Sequence, residues 1–358
     1  PSRKPMKLEL SSEQKQLVDT VRKVRLREIA PRALESIGGK FPHDNIKALA
    51  SVGVMGMAIP ERFGGSRGSI LDTVLALEEI AKSCYITAEA VIGEIGVQSR
   101  IIATYAPEHL QEKYLPRIAS GEWAGTMCLS EPHAGTDLGL LRTRAQPRAD
   151  GSYAVTGTKI FISGGEQDLT DNIVHLVLAR LPDAPPGVKG ISLFIVPKFL
   201  PTAAGGVGER NALACGSIEH KMGIHGNATC TMNFDGATGW LLGEANRGLA
   251  AMFVMMNHAR IVVGVNAIGL MDAAYQKALA YARDRTQGRA PTKAARSGPA
   301  DPIVAHADVR RMLLTQKAYV EGTRAFALWA SYLADVQHRG AAPKGRRRSS
   351  GAGRNAVK

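Results

Sequence analysis

Met127–Gly139 reads MCLSEPHAGTDLG: an apolar run hands two small hydroxyl residues, Ser130 and Thr136, to a turn built from Pro132, Ala134 and Gly135. Small residues let backbone N–H groups come close to an anionic ligand. Alone, the stretch also fits a plain turn between two strands. A second segment, Thr158–Gly165 (TKIFISGG), puts Phe161 and Ser163 two residues apart on one side of a strand. An aromatic face beside a hydroxyl suits a planar heteroaromatic ring, although the same pair also fits ordinary core packing.

The patterning around these segments divides the chain. Residues 1–122 read as helices. Ser11 and Gln14 form a capping box ahead of Leu17, Val18, Val21, Val24 and Ile29, which keep helical spacing up to Pro31. Further helices are expected over Ser69–Lys82, Ala88–Tyr105 and Pro107–Ala119, between the breaks at Pro42, Pro60, Gly64–Gly65 and Pro107. Residues 123–243 read as strands. Asp150–Gly151 predicts a hairpin between Arg142–Arg148 and Tyr153–Ile162. Ile173–Leu181, Gly190–Pro197, Thr229–Asp235 and Trp240–Leu242 follow as short strands of an antiparallel barrel or sandwich. Residues 244–338 return to helix. Leu249–Arg285 is apolar on nearly all sides, as in a helix buried within a bundle. After a basic loop, Gln287–Pro302, the helix Asp308–Gln337 carries Phe326, Trp329, Leu333 and Val336 on one face.

Composition narrows the function classes. Hydrophobic residues at 45% and charged residues at 22% exclude wholesale disorder. The net charge of +13 is misleading, because residues 339–358 hold seven Lys or Arg and no acid, and so supply +7 of it. That tail reads as disordered, and it lacks aromatics for base stacking, so no nucleic-acid function is expected. The four cysteines form no C-x-x-C pair, which points to a reducing cytoplasm. No run approaches eighteen apolar residues, so no membrane span is expected, and the N-terminus lacks the apolar core of a secretory signal. Met6 is a candidate natural start.

In this order and layout, MCLSEPHAGTDLG and TKIFISGG resemble the acyl-CoA dehydrogenase family. IPERFGG (Ile59–Gly65) and HLQEKYLPRIASGEW (His109–Trp123) resemble its N-terminal domain. From Met127 onward the chain is most similar to the 3-methylmercaptopropionyl-CoA dehydrogenases and their relatives, through EQDLTDNIVHLVLARLPDAPPGVKGISLFIVPK, CGSIEHKMGIHGNATCTMNFDGATGWLLGE and PADPIVAHADVRRMLLTQKAY. The resemblance implies a multidomain α and β fold: an N-terminal α-helical bundle, a middle antiparallel β-barrel and a C-terminal helical bundle. It also implies FAD bound extended along the barrel, which requires no G-x-G-x-x-G turn.

The resemblance places Met127, Leu129 and Ser130 along the flavin ring, Gly135 and Thr136 at the pyrophosphate, and Thr136 also near the acyl-CoA. Phe161 would stack by the ring and Ser163 would approach N5. Asn257 and Arg260 would meet the CoA moiety, and Arg285 would reach FAD across a subunit interface. RTQGR (Arg285–Arg289) is one residue shorter than the usual family loop and lacks its Phe.

The implied reaction is α,β-dehydrogenation of an acyl-CoA thioester, with hydride passing to flavin N5 and electrons onward to an electron-transferring flavoprotein. A homodimer or homotetramer is implied. The family's base is a glutamate in an IYEGT-type motif, or the residue before the arginine matched by Arg260. No such motif occurs here, and Ala259 fills the second position. The chain is therefore expected to be catalytically incomplete, with two helices of a four-helix bundle and apolar faces left without partners. The alternative is a non-catalytic module that binds FAD and acyl-CoA. No metal site is expected, since His220 and His225 lack a third ligand. Cys128 reads as a buried inert thiol and Met252, Met255 and Met256 as bundle core.

Overall fold

The computed structural model describes residues 9–91, 97–291 and 298–340. Its first part is helical: α1 (Ser12–Val24), α2 (Ala33–Ile37), α3 (His43–Ala50), α4 (Ile70–Ala81), α5 (Tyr85–Ala90), α6 (Val97–Tyr105) and α7 (Glu108–Ala119). Ser11 and Gln14 form the expected capping box. Beyond Val24 the helix loosens into a wider turn at Arg25–Ile29, because Pro31 offers no N–H and crowds the preceding turn. Of the helix expected over Ala88–Tyr105, α5 carries the start and α6 the end, and 92–96 lies outside the described residues.

The middle part holds β1 (Trp123–Cys128), β2 (Arg144–Pro147), β3 (Tyr153–Ser163), β4 (Asn172–Arg180), β5 (Ile191–Pro197), β6 (Phe199–Pro201), β7 (Val207–Arg210), β8 (Leu213–Ile218) and β9 (Thr229–Leu242). The predicted hairpin is present, with Arg144 opposite Thr156 and Pro147 opposite Tyr153. Pairing runs β2–β3–β9–β5–β4 and returns from β4 to β2, so the sheet closes on itself; β1 lies along β4 and β8 along β9. Closure removes most exposed edges.

Two expectations need correction. The barrel is mixed and not antiparallel: β1 runs parallel to β4, Trp123 beside Asn172 through Cys128 beside Val177. Two strands so far apart in sequence can be joined by a long crossover, which a parallel pair requires. Thr229–Asp235 and Trp240–Leu242 are one 14-residue strand, because β9 changes partner from β8 to β5 without ending.

Alternation sorts the strand residues into two cores. Cys128, Val155, Ile162, Phe194 and Met232 fill the barrel. Met127 and Leu129 point the other way, against a continuous cluster shared with helical residues such as Leu77, Ile101 and Met255.

Two long helices complete the fold: α8 (Gly248–Asp284) and α9 (Ala307–Gly340). The start of α8 lies directly on β5, where any side chain at Gly248 would collide with the backbone of Ser192 and Leu193. By length and composition α8 could cross a membrane, but it packs on α4, α6, α9 and β5, as a core helix does. It is not buried all round: Val263 and Leu270 are exposed, as are Phe326, Trp329, Leu333 and Val336 on α9. The tail over 341–358 lies outside the described residues.

Polar contacts tie the last helix to the first domain. Arg324 on α9 donates to Glu78 on α4 at 2.7 Å and to Asp272 on α8 at 2.8 Å. Asp335 accepts the backbone N–H groups of Ile70 at 2.8 Å and Leu71 at 3.0 Å. With Ser69 accepting from Asp72 N, the first turn of α4 is capped partly from α9. Asp335→Ala should therefore cost about 1–2 kcal/mol. Thermal denaturation should show Tm lowered by a few degrees; an unchanged Tm would remove this link.

Candidate functional site

The two segments singled out in the sequence come together at one edge of the barrel. Ile160 N donates to Ser130 O at 2.9 Å, joining β3 to the end of the β1 segment. Beyond Ser130 the chain closes a tight turn, with Glu131 N donating to Ala134 O at 2.8 Å and Ala134 N to Glu131 O at 3.0 Å. Gly135 and Thr136 lie exposed on its outer side.

Inward from this surface is a charged contact not foreseen from the sequence. The ammonium of Lys159, a fully buried residue, donates to Glu131 Oε1 at 2.9 Å and to Leu129 O at 3.0 Å. Glu131 also accepts from Arg142 N at 2.7 Å, Thr143 N at 3.0 Å and Thr143 Oγ1 at 2.6 Å. Thr143 comes this close because Gly157 has no side chain to collide with it. At the far end, Arg180 on β4 donates to Gly139 O at 2.6 Å and Leu141 O at 3.0 Å. Strand parity holds the missed signal: Lys159 shares the inward face with Val155, and a lysine there must find a carboxylate.

Burial alone would raise the Glu131 carboxyl, but the Lys159 charge and the donors from Thr143 and Arg142 outweigh it and hold it below the ordinary range. Burial pushes the Lys159 ammonium down, and Glu131 opposes this. Inside the barrel, Thr126 pairs with His175 Nδ1 at 2.7 Å. Burial brings His175 down to about 3, so it is neutral and acts as a strut. Burial pushes the Cys128 thiol up to about 12, which makes it inert.

The outward face is different. A bulge between Lys159 and Ile162 lets β3 turn Phe161 out of the sheet. Phe161 has φ +60° and the residue is 62% exposed. A bulky L-residue there carries backbone strain of about 1–2 kcal/mol. Ile162 points inward, while Ser163 is exposed on the side of Phe161. Met127, Leu129 and Ser130 are half-buried. An exposed aromatic ring, hydroxyls on two adjoining segments and an open small-residue turn fit a flat ring bearing a phosphorylated arm.

The α8 residues are placed separately. Asn257 and Arg260 share its exposed side, with Arg260 Nη1 donating to Asn257 Oδ1 at 3.3 Å and its guanidinium over Phe253 at 5.7 Å. Arg285 follows the last turn of α8, roughly 38 Å along the axis from Arg260 at 1.5 Å per residue. This chain therefore does not bring Arg285 to the residues of its first third.

Comparison with known proteins covers all three parts of the chain. Residues 11–122, 126–237 and 246–345 match the domain families described as acyl-CoA dehydrogenase, N-terminal, middle and C-terminal domain. An acyl-CoA dehydrogenase of Bacillus subtilis (strain 168) is 31% identical over 338 residues, covering 93% of this chain and 81% of that protein. The chain belongs to the acyl-CoA dehydrogenase family, which is FAD-dependent. It is 52% identical over 227 residues to 3-methylmercaptopropionyl-CoA dehydrogenase of Ruegeria pomeroyi, covering 63% of this chain and 38% of that protein. It spans 38% to 41% of the length of the first four curated relatives. The structure of butyryl-CoA dehydrogenase from Megasphaera elsdenii matches with a TM-score of 0.79 at 26% identity, covering 94% of this chain and 82% of that one.

Two outcomes follow from this geometry. Phe161→Gly should leave the Tm of the FAD-free chain unchanged or higher, because it releases the strained φ, while weakening FAD retention. A lower Tm with full retention would contradict the assignment. For Glu131, the folded carboxyl lies below its unfolded value of ~4.3, so its stabilisation is complete above that pH and fades as pH falls through the folded value. Glu131→Gln should flatten the acid limb of the stability–pH curve, measured by urea unfolding between about pH 3 and 6.

Proposed function

We propose that this chain binds FAD along the outward edge of the barrel, with an acyl-CoA thioester against it, as part of an enzyme for α,β-dehydrogenation of the acyl chain. Bound there, FAD supplies a hydride acceptor at N5. The observation that supports the reading is the exposed pair Phe161 and Ser163 held beside Met127, Leu129 and Ser130 by the Ile160–Ser130 hydrogen bond. In this reading Phe161 covers the ring, Ser130 and Ser163 offer hydroxyls to its edge, and Met127 and Leu129 form an apolar floor that excludes water. Gly135 and Thr136 meet the pyrophosphate, and Thr136 also lies toward the acyl-CoA. Asn257 and Arg260 hold the CoA moiety. Arg285 serves a partner subunit, in a homodimer or homotetramer of the cytoplasm, and electrons leave to an electron-transferring flavoprotein.

We assign no base in this chain. Ala259 precedes Arg260, and the 358 residues contain no IYEGT-type segment, so the reading is of a chain that binds without turning over. Purified chain loaded with FAD should show a perturbed band near ~450 nm that a short acyl-CoA shifts but does not bleach under anaerobic conditions. Bleaching by acyl-CoA would overturn the catalytic incompleteness, and failure to take up FAD would overturn the whole reading.

A further inference from the structure

We propose that Lys159 is a positioning residue that locks the strand carrying Phe161 and Ser163 onto the segment carrying Met127, Leu129 and Ser130. Three consecutive residues of that segment are joined to two consecutive residues of β3. Lys159 Nζ reaches Leu129 O at 3.0 Å and Glu131 Oε1 at 2.9 Å, and Ile160 N reaches Ser130 O at 2.9 Å. The bulge that turns Phe161 outward begins at Lys159. Stability alone does not account for the pair, because a buried ion pair is often no better than apolar residues of equal volume. Directed donors give what an apolar pair lacks, a fixed offset between two strands that are not neighbours in the sheet. Glu131 extends the lock to a third segment through Thr143, which donates at 2.6 Å. The consequence for flavin rests on the function proposed above, whereas the lock itself does not.

The test uses Glu131→Gln/Lys159→Met, which removes both charges together and leaves no lone buried ion, and Thr143→Val as a milder change. In the FAD-free chain, hydrogen exchange should quicken at the Ile160 amide by roughly tenfold or more in the double variant, while the amides of Tyr153 and Val155 stay slow. Thr143→Val should move the Ile160 amide in the same direction by less, and it decides alone if the double variant does not fold. FAD dissociation constants should rise in parallel, with a shifted flavin spectrum, which a merely structural role would not produce. An Ile160 amide as slow as in the unmodified chain would overturn the proposal, as would unchanged FAD affinity and spectrum in a destabilised variant. Should the unmodified chain take no FAD while the Ile160 amide responds, the flavin reading falls and the lock stands.

Discussion

A lysine ammonium buried against a carboxylate joins two segments of this architecture that the sheet itself does not pair. Lys159 and Glu131 lie where β3 passes the end of β1, two strands that are not neighbours in the sheet. Without that contact β3 would be held to the Ser130–Gly139 turn by the Ile160–Ser130 hydrogen bond, while Arg142, Thr143 and Arg180 would still hold the turn elsewhere. The contact has a cost in desolvation, which the donors from Arg142, Thr143 and Lys159 offset. It also leaves the outer face free. Glu131 and Lys159 direct their polar contacts inward, and Phe161 and Ser163 stay exposed.

That division follows from strand parity and, on β3, from the bulge between Lys159 and Ile162 that reverses it. Cys128 and Val155 fill the barrel, while Met127 and Leu129 look toward the helices and Phe161 and Ser163 toward open space. The strained φ of Phe161 belongs to the same pattern, since strain that the surrounding fold over-determines tends to collect at functional positions. The helical domain packs against the Met127 and Leu129 side of the barrel. Asp335 and Arg324 tie α9 to that domain, and Arg324 also reaches Asp272 on α8.

Much of this was legible from sequence because the signals are local. Ser11 with Gln14, Ser69 with Asp72, and Asp150–Gly151 each act within a few residues, and the shared side of Phe161 and Ser163 follows from a period of two, although the bulge after Lys159 is what turns that side outward. The parallel pairing of Trp123–Cys128 with Asn172–Val177 was not legible, since its partners are far apart and either run alone would suit an antiparallel ladder. The continuous β9 was missed for a related reason: Gly236 and Gly239 look like a break, but one strand passes through them while changing partner. Lys159 was within reach, because its parity with Val155 placed a charge indoors. Which carboxylate would meet it depended on tertiary contact. Arg285 was matched by family pattern alone, and the length of α8 separates it from the other α8 residues of that pattern.

The central claim is that Met127–Gly139 and Thr158–Gly165 form one flavin-holding surface. Hydrogen exchange of the full chain with and without FAD tests it most directly. The account predicts slowed exchange confined mainly to those two segments and the neighbouring face of α8. Binding that protects a different region, or no protection at all, would contradict it.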